Sequence, residues 1–163
     1  MSEEGGRLIR CSSKALLIRG NEILLNCCAY SDGTPYFDLP GGGQDPYESM
    51  EEALLREIRE ETGYTAQVLR FAALSEEIYD DPDLRQKYPD YSHRILHIFV
   101  AAAVAQTSQP TDYDFQMRGR KWFSLDEADK LPLLPETLRG RVREVLAAEH
   151  PVYLGTIHTH QQA

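Results

Sequence analysis

The sequence predicts a mixed α/β fold, and three observations carry that prediction. Short apolar runs alternate with turn residues, one stretch of strong helix formers closes on a glycine, and β-rich segments lie on either side of it. Residues 14–28, KALLIRGNEILLNCC, are two apolar runs around Gly20-Asn21, both of which tolerate positive φ, so a hairpin is expected. After a polar loop at 31–35, residues 36–39 form a short extended piece, stopped by Pro40 and three glycines. Residues 48–62 read as a helix, with Pro46 near its start and Gly63 at the left-handed position that ends it. A β-rich stretch, 64–79, leads into a polar segment, 80–92, rich in Tyr and Asp; 94–105 and 119–123 read as strands. Ser124 and Glu127 form a capping box opening a short helix. A longer helix is expected over about 135–149, and the tail VYLGTIHTHQQA either adds a strand or stays loose. With no repeat, linker or low-complexity tract, residues 1–163 are expected to form one domain.

Composition bounds the function. The chain has 163 residues, 42% apolar and 26% charged, enough for one proper core. No apolar run approaches the roughly 20 residues of a membrane-spanning helix. The first residues, MSEEGGRLIR, lack the basic start and apolar stretch of a secretory signal. Cys11, Cys27 and Cys28, an odd count with two adjacent, suit neither a disulfide framework nor a zinc site. A cytoplasmic protein without membrane contact is expected. The net charge of −9 argues against long nucleic acid, which is held through a field of Lys and Arg. That acidity is local: residues 44–61 and 76–83 each carry −5, and the rest of the chain is close to neutral.

The first acidic patch carries the chemistry. At about 100° per residue, Glu60 falls near −60° and Glu61 near +40° from Glu57, so the three carboxylates share one stripe. Met50, Ala53 and Leu54 fall on the same side, while Glu51, Glu52, Arg59 and Thr62 lie opposite, with Leu55 an exception among them. An ordinary acidic helix would turn its carboxylates to solvent, away from its apolar residues. Like charges at i,i+3 and i,i+4 repel, and more so when partly buried. A hard divalent cation offsets that repulsion, since clustered carboxylate oxygens are its preferred ligands. Arg56 can reach a fourth carboxylate such as Glu48 and pin the preceding loop, and Gly41, Gly42 and Gly43 allow tight turns and close approach to a ligand.

Gly42, five residues, Glu48, seven residues, Arg56-Glu57-Ile58, one residue, Glu60-Glu61, one residue, Gly63 and a bulky residue resembles the Nudix box of the MutT-like hydrolases. The box spans residues 42–64; its last position, usually aliphatic, is Tyr64, a departure that concerns packing. With the preceding hairpin and the Trp-Phe-Ser-Leu-Asp-Glu segment at 122–127, the resemblance extends loosely over 12–148. It implies an α/β/α sandwich, a mixed central sheet flanked by helices, and hydrolysis of a nucleoside diphosphate linked to another group. It further implies Glu57, Glu60 and Glu61 as catalytic carboxylates binding Mg²⁺ or Mn²⁺, with Glu48 a supporting ligand. Arg56 would orient them, and Gly42 would let the loop meet the helix. Water activated by the metal would attack phosphorus, with Glu57 or Glu60 favoured as general base. The alternative is a Nudix-fold module that senses a nucleotide without turnover, which would have no need of the clustered charge. Homodimerisation is a family expectation only.

Weaker signals stand around this centre. In residues 75–94, Tyr79, Tyr88 or Tyr91 could stack on a base, or the segment is a solvated loop or dimer contact. Asp80, Asp81 and Asp83 lack the glycine and closing glutamate of a calcium loop. Tyr79 and Pro82 lie where some Nudix subfamilies carry a marker residue, but they point to different substrates, dinucleoside polyphosphates and ADP-ribose. By alternation His93, Ile95 and His97 share one strand face and Arg94, Leu96 and Ile98 the other. Arg94 could meet a phosphate and His97 could line a pocket, against the plainer readings of a salt-bridged residue and a satisfied histidine. His158 and His160 could bind metal but fit a mobile terminus better. Trp122 is expected in the core.

Overall fold

The computed structural model describes residues 8–111 and 116–159. Strands β1 (Arg10–Arg19) and β2 (Glu22–Ala29) form the expected hairpin, closed by Ile18↔Ile23 and Arg19↔Glu22. They are followed by β3 (Pro35–Asp38), β4 (Gly41–Gly43), helix α1 (Met50–Thr62) and β5 (Tyr64–Tyr79). Next come α2 (Pro82–Lys87), β6 (His93–Gln106), β7 (Met117–Ser124), α3 (Leu125–Ala128) and β8 (Leu133–Leu134). A 3-10 turn (Glu136–Leu138), α4 (Val142–Ala147) and β9 (Val152–Thr159) complete the described chain. The strands join in one mixed sheet, ordered β8-β3-β2-β1-β6-β5-β9, with β4 on β1 and β7 on β2. Among the described residues no helix is long and apolar enough to cross a membrane.

Alternation along the central strands builds two cores. Leu16, Ile98 and Val100 join the cluster covered by α3 and α4, through Ala128, Val142 and Val145. Their neighbours Ala15, Leu17, Phe99 and Ala101 join the opposite cluster, covered by Leu54 and Ile58 of α1. Helices thus flank both faces of a mixed sheet, as the resemblance implied. Full burial of Leu54 and Ile58 contributes about 1.5–3 kcal/mol each.

Helix α1 is bounded by local chemistry. Ser49 Oγ accepts from Glu52 N at 3.0 Å and Glu52 Oε2 accepts from Ser49 N at 3.1 Å, a capping box that starts the helix after residue 48. Gly63 ends it at φ 75°, donating its N–H to Arg59 O, and a side chain there would collide with Ser108 O. The buried stripe is centred near Ile58 rather than Glu57. Thr62, expected on the far side, is therefore fully buried, donating from Oγ1 to Ile58 O at 2.5 Å, while Met50 is 38% exposed.

Further expectations are settled or corrected. The segment 80–92 contains α2, whose start is capped by Asp81 accepting from Asp83 N at 2.8 Å. The helix expected over 135–149 breaks into the 3-10 turn and α4, because Gly140 takes the left-handed conformation (φ 70°) between them. The tail to Thr159 is not loose: β9 pairs in parallel with β5 from Ala73↔Val152 to Tyr79↔Thr159. His160 lies outside the described residues.

The feature that positions the site is a split. β1 and β2 pair only at their turn end. Beyond it β1 takes β4 on that edge, through Ser12↔Gly43, Ser13↔Gly42 and Lys14↔Gly41. β2 instead runs between β3 and β7. A cleft of about 440 Å³ opens there, with residues of β1, β2, β3 and β4 and two glutamates of α1 in its walls.

Candidate active site

Glu61 spans the split. Its Oε2 accepts from Asn26 Nδ2 on β2 at 3.1 Å and from Gly41 N on β4 at 3.0 Å. Burial pushes its carboxyl up to about 7, against the opposing pull of Lys14 and those two hydrogen bonds. Glu57 enters the cleft one turn earlier, beneath Gly42. A Cβ on Gly42 would stand 2.7 Å from Glu57 Cδ, so only glycine leaves the carboxylate its room.

Arg56 organises the rest of the box. Its Nη2 donates to Glu48 Oε1 at 2.6 Å and to Gly43 O at 3.2 Å, and its Nε donates to Glu48 Oε2 at 3.1 Å. Its Nη1 donates to Glu57 Oε1 at 2.9 Å and to Glu60 Oε2 at 3.3 Å. Hydrogen bonding to Arg56, helped by Asp45 N, holds Glu48 down at about 2. Glu48 and Glu60 do not line the cleft; Glu57 and Glu61 do.

Among the described residues, no three His, Cys, Asp or Glu side chains stand close enough together to hold a metal ion as arranged. The guanidinium of Arg56 occupies the space between Glu48, Glu57 and Glu60. The donor set nonetheless suits a hard cation. It consists of carboxylate oxygens, including those of the half-buried Glu61, and the cradle at Gly42 keeps the Glu57 carboxylate uncovered.

The floor carries cations and carboxylates in pairs. Lys14 Nζ donates to Asp38 Oδ2 at 3.4 Å, Leu39 O at 3.3 Å and Gly41 O at 3.2 Å. Burial alone would lower its pKa, but Asp38 and Glu61 outweigh that and leave it raised. Arg94, half-buried like Lys14, is paired with Glu77. Tyr79 is 4% exposed beside them, and burial raises its phenol. Tyr36 donates to Gln116 Oε1 at 2.5 Å on the β3 side.

The cleft therefore brings together Gly41, Gly42, Glu57, Glu61, Arg94 and Tyr79 from the expected set, with Tyr88 and Tyr91. It leaves out His97, which packs against Phe71; among the described residues its Nδ1 has no hydrogen-bond partner. The second acidic patch is consumed structurally. Glu76 meets His93 at 2.8 Å and Thr156 at 2.8 Å, Glu77 meets Arg94, and Asp80 meets His158 at 2.7 Å. Trp122 is partly buried on the α1-side core, edge-on to Tyr64, where the departure from the box's usual aliphatic residue is absorbed.

Sequence reading missed Lys14, Asn26, Asp38 and Arg10, all in the cleft wall. For Lys14 and Arg10 a signal existed. They alternate with Ser12 on the β1 face that leads on to Leu16.

A mixed sheet between helices, with a glycine strand feeding a glutamate helix into the cleft, agrees with the resemblance seen in the sequence. The chain belongs to the Nudix family: the NUDIX domain model matches residues 8–148. A Bacillus subtilis (strain 168) protein provisionally named an 8-oxo-dGTP diphosphatase is 51% identical over 109 residues, covering 66% of this chain and 60% of that one. Nudix hydrolase 4 of Arabidopsis thaliana is 37% identical over 92 residues, 55% of this chain and 39% of its own. The chain thus spans less than two thirds of either relative. Nucleoside triphosphatase NudI of Enterobacter sp. (strain 638) is 30% identical over 72% of this chain and 84% of its own. Among solved structures, the MutT protein of Bacillus halodurans superposes with a TM-score of 0.65 at 22% identity, covering 92% of this chain and 90% of that one.

Proposed function

We propose that the cleft hydrolyses a phosphoanhydride bond in a nucleoside diphosphate linked to another group, by attack of water at phosphorus, with Mg²⁺ or Mn²⁺ as cofactor. The observation that carries this is the meeting of Glu57 and Glu61 in one cleft beneath the glycine strand, with the Arg56 hub behind them. Glu57, Glu60 and Glu61 would hold the cation, which would polarise the phosphoryl oxygens and acidify a bound water. Glu57 and Glu60 would have to give up their bonds to Arg56 Nη1 to do so. Glu48, with both oxygens already on Arg56, acts as the anchor of that arginine rather than as a ligand.

The chain's own groups then have separable tasks. Arg56 fixes the carboxylates and ties the loop at Gly43 O to α1. Gly41 and Gly42 leave the close approach that a diphosphate needs. Glu57, which faces the cleft with 12% side-chain exposure, is better placed as general base than the outward Glu60 at 35%. Arg94 and Tyr79 form the floor on which the nucleotide moiety rests. Support also comes from the relatives named as acting on nucleoside triphosphates.

The test is a panel of oxidised nucleoside triphosphates, ADP-ribose, nucleotide sugars and dinucleoside polyphosphates, assayed with Mg²⁺ or Mn²⁺ and with a chelator control. Glu57→Gln and Glu60→Gln are run beside the wild type. Turnover that needs the cation and falls by about two to three orders of magnitude in Glu57→Gln is expected. Undiminished turnover in both variants overturns the assignment. Tight nucleotide binding with no turnover of any substrate would point to a sensor instead.

A further inference from the structure

Among the described residues, Arg10 is a cation of the cleft with no carboxylate beside it. Arg56 is bound by Glu48, Glu57 and Glu60, Lys14 by Asp38, and Arg94 by Glu77. Arg10 also lines the cleft, two positions along β1 from the row that pairs with β4, and its register partner on β6 is Arg94. Among the described residues no carboxylate lies within ion-pair distance of it. Its guanidinium carbon instead sits 4.8 Å from the ring centroid of Tyr91, itself 44% exposed at the mouth. An aromatic face holds a guanidinium in place without neutralising it, and the in-plane N–H donors are not spent on a carboxylate. The group packs directly over Gly43, where any side chain would collide with it. The arginine is thus oriented, retains its charge, and lies beside the strand that adjoins Glu57 and Glu61.

We propose that Arg10 is a specificity-determining residue that binds an anionic group of the substrate beyond the diphosphate, which selects nucleoside triphosphates over substrates whose second moiety is neutral. This rests on the hydrolase reading above. The carboxylates would accept a diphosphate only with divalent cations present, and the diphosphate would take up the charge those cations supply. A further phosphate brings additional negative charge into a cleft whose other cations are already paired. A guanidinium is suited to it, because its planar fork donates to two phosphate oxygens at once. A neutral sugar in the same place gains nothing from the charge and would leave it uncompensated. Tyr91, stacked on the cation, keeps the side chain on the cleft side of the mouth.

The experiment is calorimetric titration of the full chain in Mg²⁺ with two non-hydrolysable ligands, guanosine α,β-methylene triphosphate and guanosine α,β-methylene diphosphate. Wild type, Arg10→Gln and Arg10→Lys are compared after circular dichroism and melting show each to be folded. The wild type is expected to prefer the triphosphate by about tenfold or more. Arg10→Gln should lose that preference while its affinity for the diphosphate stays within about twofold, and Arg10→Lys should keep part of it, as a point charge without the fork. Equal affinity of the wild type for the two ligands, no binding of either, a preference retained in Arg10→Gln, or an equal loss for both ligands overturns the proposal. Turnover is scored separately. A preference that depends on Arg10 without hydrolysis of any substrate sinks the hydrolase reading alone, and hydrolysis without the preference sinks only the role of Arg10.

Discussion

Glu61 is a carboxylate that the walls of the split partly remove from water. Because burial raises it to about 7 from 4.5, the folded chain binds more protons than the unfolded chain between those values. Stability from this group is present below about pH 4.5 and is lost as pH rises through about 7. The ionised carboxylate then costs the metal-free protein up to about 3 kcal/mol. Glu61→Gln should therefore melt above the wild type at pH 8, by about 5–10 °C, and close to it at pH 5. The same gap at both pH values would contradict the cause. Gly42 makes a second prediction at this scale. Its substitution by Ala drives a Cβ into the Glu57 carboxylate, whose tip can yield. Activity should fall by about tenfold or more, since small displacements at a reacting centre are costly, while the melting temperature stays within a few degrees. Kinetics and a thermal melt on the same preparation separate the two effects.

Helix α1 shows how an element is held by its ends. The capping box at Ser49 and Glu52 satisfies two of the backbone donors that a helix start leaves open. Ser49→Ala should cost about 1 kcal/mol, and Gly63→Ala more, because φ 75° and the approach of Ser108 O both oppose a side chain. Chemical denaturation of the two variants reads that order directly, and a smaller loss at Gly63 would show that the loop at Ser108 moves aside. The 3-10 turn and α4 teach the opposite lesson. The composition of 135–149 favours one helix, but left-handed Gly140 interrupts it. Asp129 then accepts Val142 N at 2.8 Å to start α4 afresh. That acceptor comes from another element, so nothing within 135–149 announces it.

At the scale of the whole molecule, stability is concentrated where strands are paired on both edges and packed on both faces. β6 runs between β1 and β5, and Ile98 on it is fully buried, whereas Val104 near its end is 67% exposed. Ile98→Ala should cost about 2–5 kcal/mol and Val104→Ala almost nothing. Hydrogen exchange should follow the same map, slowest in the middle of β1 and β6 and fastest in α2, which buries no residue, and along the outer edge of β9. Exchange in α2 as slow as in β6 would argue against this distribution. The sequence by itself determined the hairpin, the glutamate helix with its glycine stop, and the long paired strands. It also determined the family, because backbone conformation, helical periodicity and motif spacing are local properties. Only the tertiary structure decided where the charges go. Alternation places Arg10 and Arg94 on one face of β1 and β6, but a strand pattern cannot say which carboxylate neutralises which cation. Glu77 meets Arg94 across the β5–β6 pairing, Asp38 meets Lys14 across the split, and Glu61 bridges β2 and β4. These meetings depend on how far β1 and β2 diverge beyond their turn, a property of the assembled sheet that no stretch of the chain encodes alone.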